Sequence, residues 1–392
     1  VISKQELLQL RGEWQLDVGV IEKDYVLGWL LAAIASEPAL AEHWIFKGGT
    51  CLRKCYYETY RFSEDLDFTV IGEGPEDPQE LTEIFRRIAG WLQEQSGIEL
   101  LVEDGAFVRR RNLRGKPTTQ GRIAYRGPNP QSTLPKVRLD VTSDEVLVER
   151  PELREIVHSY GDGPLSGGRV LCYSLAELAG EKIRALAERC RPRDLYDVVH
   201  IHRHPDLLGL AARVSSILER KCAHASIPVP DAAAIRASPY VNEVENEWDN
   251  MLGHQLPTPL PPFAQFWSEL EAVFAWLGGT RRPVLQRAHF DRDADPDWTA
   301  PRAITSWRRG IPLETIRYAG ANRLKVEIDY PAEQGRHGPR VVEPYSLRQT
   351  KDGNLVLFVV NDRGQQRSYR VDRIAGVRPT ATPFTPRFIV EF

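Results

Sequence analysis

Phe46-Lys47-Gly48-Gly49-Thr50-Cys51-Leu52-Arg53-Lys54, followed closely by Arg61-Phe62-Ser63-Glu64-Asp65-Leu66-Asp67-Phe68, is the stretch that decides how this chain is read. Trp44 to Phe46 is a short apolar run of strand type that enters two glycines, and Thr50 to Tyr57 restarts as a helix. Glycines let backbone approach a phosphate closely, and a helix N-terminus offers unpaired N–H groups to it. The GxxxxGK[ST] spacing is absent, so this is not a Walker loop. Asp65 to Val70 alternates as a strand. Its period of two puts Asp65 and Asp67 on one face and Leu66 and Phe68 on the other, toward a core. Two carboxylates side by side repel unless a divalent cation bridges them, and Mg²⁺ carried on nucleotide phosphates needs few protein carboxylates.

A third acid belongs beside such a pair. Lys136-Val137-Arg138-Leu139-Asp140-Val141-Thr142 supplies it: Val137, Leu139 and Val141 face inward, and Asp140 shares the other face with Lys136, Arg138 and Thr142. Asp140 would complete a metal-binding triad with Asp65 and Asp67 and could take the proton of an acceptor hydroxyl. Glycine turn, helix and Asp-x-Asp strand together give the layout of nucleotidyltransferases of the DNA-polymerase-beta type. Further on, Ser174 can cap a helix with Glu177 at the capping-box position. Lys182 falls within the apolar stripe of that helix, where a lysine needs a partner: a triphosphate or an aspartate of the site. Arg191-Pro192-Arg193-Asp194 opens the next helix. There Asp194 suits the helix dipole, and Arg193 could pair with an aspartate or a phosphate.

Outward from these motifs, residues 3 to 43 read as two helices, and Leu81 to Gln95 as an amphipathic helix. Three or four strands follow between Ile98 and Thr142, with turns at Gly115-Lys116-Pro117 and Gly127-Pro128-Asn129-Pro130. Helices fill 175–190, 195–201, 207–219, 241–252 and 263–277. The acidic Asp291 to Trp298 reads as a linker. Beyond it come short strands at 324–330, 341–349, 355–361 and 367–371, spaced as in a small barrel or sandwich. The expected division is an α/β core at 1–165, a helical domain completing the site at 166–285, a linker at 286–303 and a β-barrel at 304–392.

FKGGTCLRK…RFSEDLDF, then RLDVT, ELAGEKIRAL and RPRDLYD, resembles the AbiEii/AbiGii nucleotidyltransferase toxins over roughly residues 1 to 280. The resemblance implies an α/β (α+β) core of DNA-polymerase-beta type with a helical bundle, NTP as substrate with Mg²⁺, and control by a separately encoded antitoxin in an abortive-infection, phage-defence setting. It implies an RNA acceptor, the tRNA 3′ end foremost. Carried over by position, it gives Gly48, Gly49, Thr50, Arg53 and Ser63 as nucleotide-binding and Asp65, Asp67 and Asp140 as catalytic and metal-holding. It also gives Glu181 and Lys182, then Arg193 and Asp194, with Lys182 catalytic. Ile316-Arg317-Tyr318-Ala319, Val342-Glu343-Pro344-Tyr345-Ser346-Leu347 and Arg367-Ser368-Tyr369-Arg370-Val371-Asp372-Arg373-Ile374, within residues 311 to 383, resemble WYL domains, which implies an Sm-like or SH3-like barrel binding nucleic acid or a nucleotide. The Trp-Tyr-Leu triplet is replaced near Leu355-Val356-Leu357, leaving Tyr345, Arg367, Tyr369, Arg370 and Arg373 as candidate ligand contacts. Two other readings suit the same residues: a weakly catalytic sensor regulating transcription or defence, and a transferase or kinase acting on a protein.

Composition fits this picture. The net charge of −3 hides an excess of seven positive charges over residues 281–392 against ten negative elsewhere, so the basic end should meet polyanions. Seven basic residues between Arg109 and Arg126 concentrate on one expected hairpin, a track for an acceptor strand. Five cysteines without a CxxC pair fit a reduced, cytoplasmic setting, with Cys51 and Cys55 as small buried hydrophobes and no cysteine zinc site. His200, His202 and His204 lack the carboxylate pattern of a metal motif. No apolar stretch is long enough to span a membrane.

Overall fold

The computed structural model describes all residues except 58–59, 113, 164–167, 289–293, 296–297, 299–312 and 332–337. Most of the linker expected at 286–303 therefore lies outside the described residues.

α1 (Lys4–Trp14) and α2 (Val18–Ser36) form as read, with Ser3 and Asp17 accepting from the first-turn N–H groups. α2 is apolar all round from Tyr25 to Ile34 and is accordingly buried on every side. α3 (Pro38–Ala41) leads into β1 (Trp44–Lys47) and the single turn α4 (Gly48–Cys51). The helix expected through Tyr57 instead widens into a π-turn at Leu52–Tyr56. β2 (Asp65–Val70) and α5 (Pro78–Ser96) follow, the latter with Asp77 capping, Pro78 at its first position and Gly97 in the left-handed region at its end. Then come β3 (Glu99–Leu101), β4 (Phe107–Arg111), β5 (Pro117–Arg126), β6 (Lys136–Thr142), β7 (Glu152–Glu155) and β8 (Arg169–Cys172).

These strands make one eight-stranded mixed sheet, ordered β3-β5-β6-β2-β1-β8-β7 with β4 on β5. β2 runs antiparallel to β1 and parallel to β6. That places the two acid-bearing strands side by side in the middle of the sheet, next to the strand that feeds the glycines. Cys51 and Cys55 are buried as expected, and Cys172 of β8 joins them, the three sulfurs lying within 4.8 Å of one another.

The helical part comprises α6 (Leu175–Arg189), α7 (Pro192–Arg203), α8 (Ala211–Ala225), the short α9 (Ala232–Arg236), α10 (Val241–Asn246) and α11 (Trp248–Leu252), and α12 (Phe263–Leu277). Ser174 caps α6, but the Glu177 carboxylate turns inward to a wholly buried ion pair with Lys221 at 2.7 Å.

The C-terminal part opens with a helix that the sequence pattern did not reveal, α13 (Leu313–Ala321). β9 (Leu324–Asp329), β10 (Pro339–Gln349), β11 (Leu355–Asn361) and β12 (Gln366–Arg370) fall where expected, and β13 (Gly376–Pro383) is additional. They form a five-stranded antiparallel sheet ordered β12-β11-β10-β9-β13. The β-structure expected at this end is present as an antiparallel sheet, with no β12–β13 pairing among the described residues. Leu313, Ile316 and Tyr318 of α13 belong to the same continuous core as α1, α7 and α12.

Candidate active site

Gly48 sits at φ +82°, a conformation that favours glycine. A Cβ built on it would lie 2.2 Å from the Asp67 Oδ2 atom, and one on Gly49 would lie 2.6 Å from the Arg61 guanidinium. The glycine bend therefore lies directly on the acidic strand. Across the sheet, Asp67 pairs in register with Lys47 on one side and Asp140 on the other. Register partners are roughly 4.8 Å apart at the backbone. Asp65, two residues back, shares the face. Asp65, Asp67, Asp140, Gly48, Gly49, Ser63, Glu181, Lys182, Arg193 and Asp194 all line one cleft of about 820 Å³.

The electrostatics are those of crowded acids. Burial, with Asp65 and Asp140 nearby, raises Asp67 to about 7, although Lys47 and Lys182 pull the other way. Burial also lifts Asp65. Asp140 accepts from the Thr118 hydroxyl at 2.6 Å and the Gln120 amide at 3.3 Å. Among the described residues the three carboxylates are not gathered within 4.8 Å of one another. Their positions fit a divalent cation: adjacent register places, one face, and a donor set of hard oxygens.

Basic side chains surround them. Lys182 reaches an aspartate, as its place in an apolar stripe required, but the partner is Asp197 at 2.7 Å. Asp197 also takes two hydrogen bonds from Arg61, at 2.6 and 2.8 Å, and one from the Tyr60 hydroxyl. Lys47 bonds Glu181 at 3.2 Å. Burial opposes charge on Glu181, yet Lys47, Lys221 and Arg184 hold it at about 2. Asp194 forms a two-pronged pair with Arg189 at 2.7 Å. Arg193 approaches His254 at 3.4 Å, and its Nε has no partner among the described residues. From the basic hairpin, Arg111 and Arg114 enter the cleft wall, Arg114 paired there with Glu145 at 3.1 Å, while Arg109 pairs with Glu76 and Arg126 with Glu99 outside it.

Three expected contacts are placed elsewhere. Thr50 is wholly buried, and its hydroxyl donates to the Asp65 carbonyl at 2.5 Å, tying the glycine bend to β2. Arg53 points away from the cleft to Asp24 at 2.8 Å, its guanidinium 3.5 Å from the centre of the Phe62 ring. Tyr345 is wholly buried against Phe384 and Phe388, and its hydroxyl donates to Glu343, leaving no face for a ligand. Arg367 and Arg370 are exposed, the latter paired with Asp372 at 2.6 Å. Tyr369 packs on Tyr330, and Arg340 and Arg373 lie over these rings. Lys47, Arg61 and Asp197 were given no role from sequence, though all three stand inside the quoted motifs. The signal available for Asp197 was its position one turn after Asp194 on the same helical face.

A mixed sheet carrying a glycine bend against neighbouring acidic strands, closed by a helical bundle, defines a nucleotidyltransferase. Residues 29–276 match the family described as nucleotidyl transferase AbiEii toxin, type IV toxin–antitoxin system, and residues 312–379 match the WYL domain. The chain belongs to the AbiEii nucleotidyltransferase toxin family and carries a WYL domain after the toxin domain. Among curated proteins, no sequence matches it. Among solved structures it is similar to MenT4, a nucleotidyltransferase toxin from Mycobacterium tuberculosis H37Rv. The identity is 19% and the TM-score 0.46, over 70% of this chain and 87% of that one. It also aligns with proteasome accessory factor B/C of Arthrobacter aurescens, at 11% identity and a TM-score of 0.19, over 94% of this chain and 74% of that one. No described helix is long and apolar enough to cross a membrane.

Proposed function

We propose that this toxin uses Mg²⁺ and an NTP to add a nucleotide to a hydroxyl at an RNA end, tRNA being the first acceptor to test. The observation that carries this is the contact between Gly48 and Asp67, with Asp140 in register beside them. An NTP phosphate chain can rest on the bend only where the acids are. Asp65, Asp67 and Asp140 would hold the ion, which when bound neutralises phosphate charge and favours the departure of pyrophosphate. Gly48 and Gly49 offer close backbone approach, and Lys182 and Arg61, braced on Asp197, set positive charge against the triphosphate. The Asp140 carboxylate, oriented by Thr118 and Gln120, takes the acceptor proton as the hydroxyl attacks the α-phosphorus. Arg111 and Arg114 at the rim suit a phosphodiester backbone. The proposed setting is the cytoplasm, in an antitoxin-controlled defence against phage.

Incubation of the purified protein with each labelled NTP, Mg²⁺ and total tRNA tests this reading. Label should appear in RNA and fall on the order of a thousand-fold in Asp65→Asn/Asp67→Asn. Label in a protein and none in RNA would replace the acceptor; unchanged growth arrest by the double variant would remove the catalytic role.

A further inference from the structure

A second cavity, of about 520 Å³, opens where the toxin domain meets the C-terminal domain. Tyr56 and Tyr57 at the end of the π-turn, and His200, Arg203 and His204 at and just beyond the end of α7, line one side. Arg317, Arg323, Leu347, Arg348 and the segment Ile389–Phe392 line the other. Its volume lies within the range of small-molecule sites.

The lining holds polar groups that the protein does not satisfy. The Tyr57 hydroxyl, His200 Nδ1 and Arg203 Nη1 are buried without hydrogen-bond partners among the described residues. Buried polar atoms normally find partners, so three orphans just behind one wall make that wall polar. Arg323, part-buried, adds a guanidinium to the same lining. The other cavity arginines have acids: Arg203 has Glu269, Arg317 has Glu314, and Arg287 and Arg348 share Glu391. Among the described residues, the Arg323 side chain has neither an ion pair nor a hydrogen bond. Burial, with Arg203 and Arg282 repelling it, holds its guanidinium down at about 9. Its backbone sits at φ +59°, a conformation a non-glycine residue seldom adopts. A desolvated, unpaired guanidinium is costly unless an anion meets it.

The remaining walls are aromatic. Tyr57 lies 4.5 Å from His204 between ring centres and 5.7 Å from His200, and Trp298 and Phe392 also face the space. Burial lowers His200 and His204, so these rings present neutral faces to a ligand. An anion-seeking head beside flat apolar walls selects a planar ring that carries phosphate. We infer that this cavity binds a nucleoside phosphate, held by Arg323 and Arg203 at its phosphates and by the Tyr57–His204 side at its base. The site is separate from the catalytic cleft but joined to it by one rigid element. α7 presents Asp194 and Asp197 to the basic side chains of the cleft at its start, and His200 and Arg203 to this cavity at its end. Occupancy at one end of α7 thus bears on the side chains that position Lys182 at the other.

The inference does not depend on the transfer reaction, and its test avoids catalysis. Calorimetric titration of ATP, adenosine and inorganic pyrophosphate would be made into the full chain carrying Asp65→Asn/Asp67→Asn, with EDTA present. ATP should bind. Adding Arg323→Gln should weaken it by roughly ten-fold or more, the worth of a charge-assisted contact, and Tyr57→Phe should weaken it less. Arg323→Gln should not lower the melting temperature without ligand, because it removes an unpaired, part-buried charge, and ATP should raise that temperature only when Arg323 is present. ATP affinity unaltered by both substitutions, no ATP binding, or pyrophosphate binding as tightly as ATP would each overturn the inference.

Discussion

A single methyl group at position 48 would displace the carboxylate that faces it. In Gly48→Ala the new carbon would fall 2.2 Å from Asp67 Oδ2, well inside contact distance, at a φ of +82° that alanine adopts at a cost of about 1 kcal/mol. Either the bend opens or Asp67 swings away from its register beside Asp140. Nucleotide transfer should drop by about a hundred-fold or more, since small displacements at a reacting centre carry that cost, while the melting temperature falls by only a few degrees. A variant that kept full transfer activity would show that the bend does not position Asp67. At this scale the sequence was legible wherever one strand period settled the direction of a side chain, as for Asp65, Asp67 and Asp140. It was not legible where polarity alone suggested a contact. Arg53 and Thr50 follow the same glycines, yet one turns to Asp24 and the other folds back on Asp65, and only the packing of α2 and β2 decides that.

Among the elements, α7 links most of the charge in the cleft. Asp197 is wholly buried and accepts from Tyr60, Arg61 and Lys182, so it holds two cations that would otherwise be stranded. Burial would lift its pKa, but Arg61 and Lys182 drive it well below the usual carboxylate range. A carboxylate depressed in the folded state contributes stability above its unfolded value near 4, and that contribution is lost as pH falls below it. Asp197→Asn should therefore cost about 3–5 kcal/mol at neutral pH, the price of leaving buried charge unpaired. The loss should shrink in acid, as denaturant melts at pH 7 and pH 3 can establish. An equal loss at both pH values would mean that the role of Asp197 is steric. Such pairings explain which elements could be read in advance. Ser174 announced its helix through local chemistry, whereas the Asp17 cap and the Asp77–Pro78 start of α5 went unread, and that helix was expected only from Leu81. α13 and β13 had no such local signal, and they are specified by what they pack on: α13 lies on β9, β10 and β13 and touches α1, and β13 pairs with β9. The π-turn at Leu52–Tyr56 follows the same logic, because an extra residue in a turn leaves no mark on composition.

Polar groups cross between the toxin domain and the C-terminal part. Asn322 is 1% exposed; it accepts from the Tyr196 hydroxyl at 3.0 Å, while its carbonyl takes the Gln265 amide at 2.9 Å. Tyr318 donates to the Pro259 carbonyl at 2.8 Å. Close to this seam lie histidines that resist protonation. Burial lowers His202 to about 3, with Arg282 and Arg203 adding repulsion, and His200 is lowered well below its usual value of 6.5. The unfolded chain takes these protons near pH 6.5, whereas the folded chain does not take the one on His202 until about pH 3. Between those values the unfolded state binds more protons, so stability declines as pH is lowered through that window and the decline ends near the lower value. In His202→Phe a ring of similar size would keep its place against Trp276, whose ring lies 5.6 Å away, and the proton would have nowhere to bind. The variant should melt within a few degrees of the parent at pH 7.5 and above it at pH 4.5, giving a shallower dependence on pH. If parent and variant lost stability in parallel across that range, the acid sensitivity would belong to other groups and His202 would be only a packing residue in the seam.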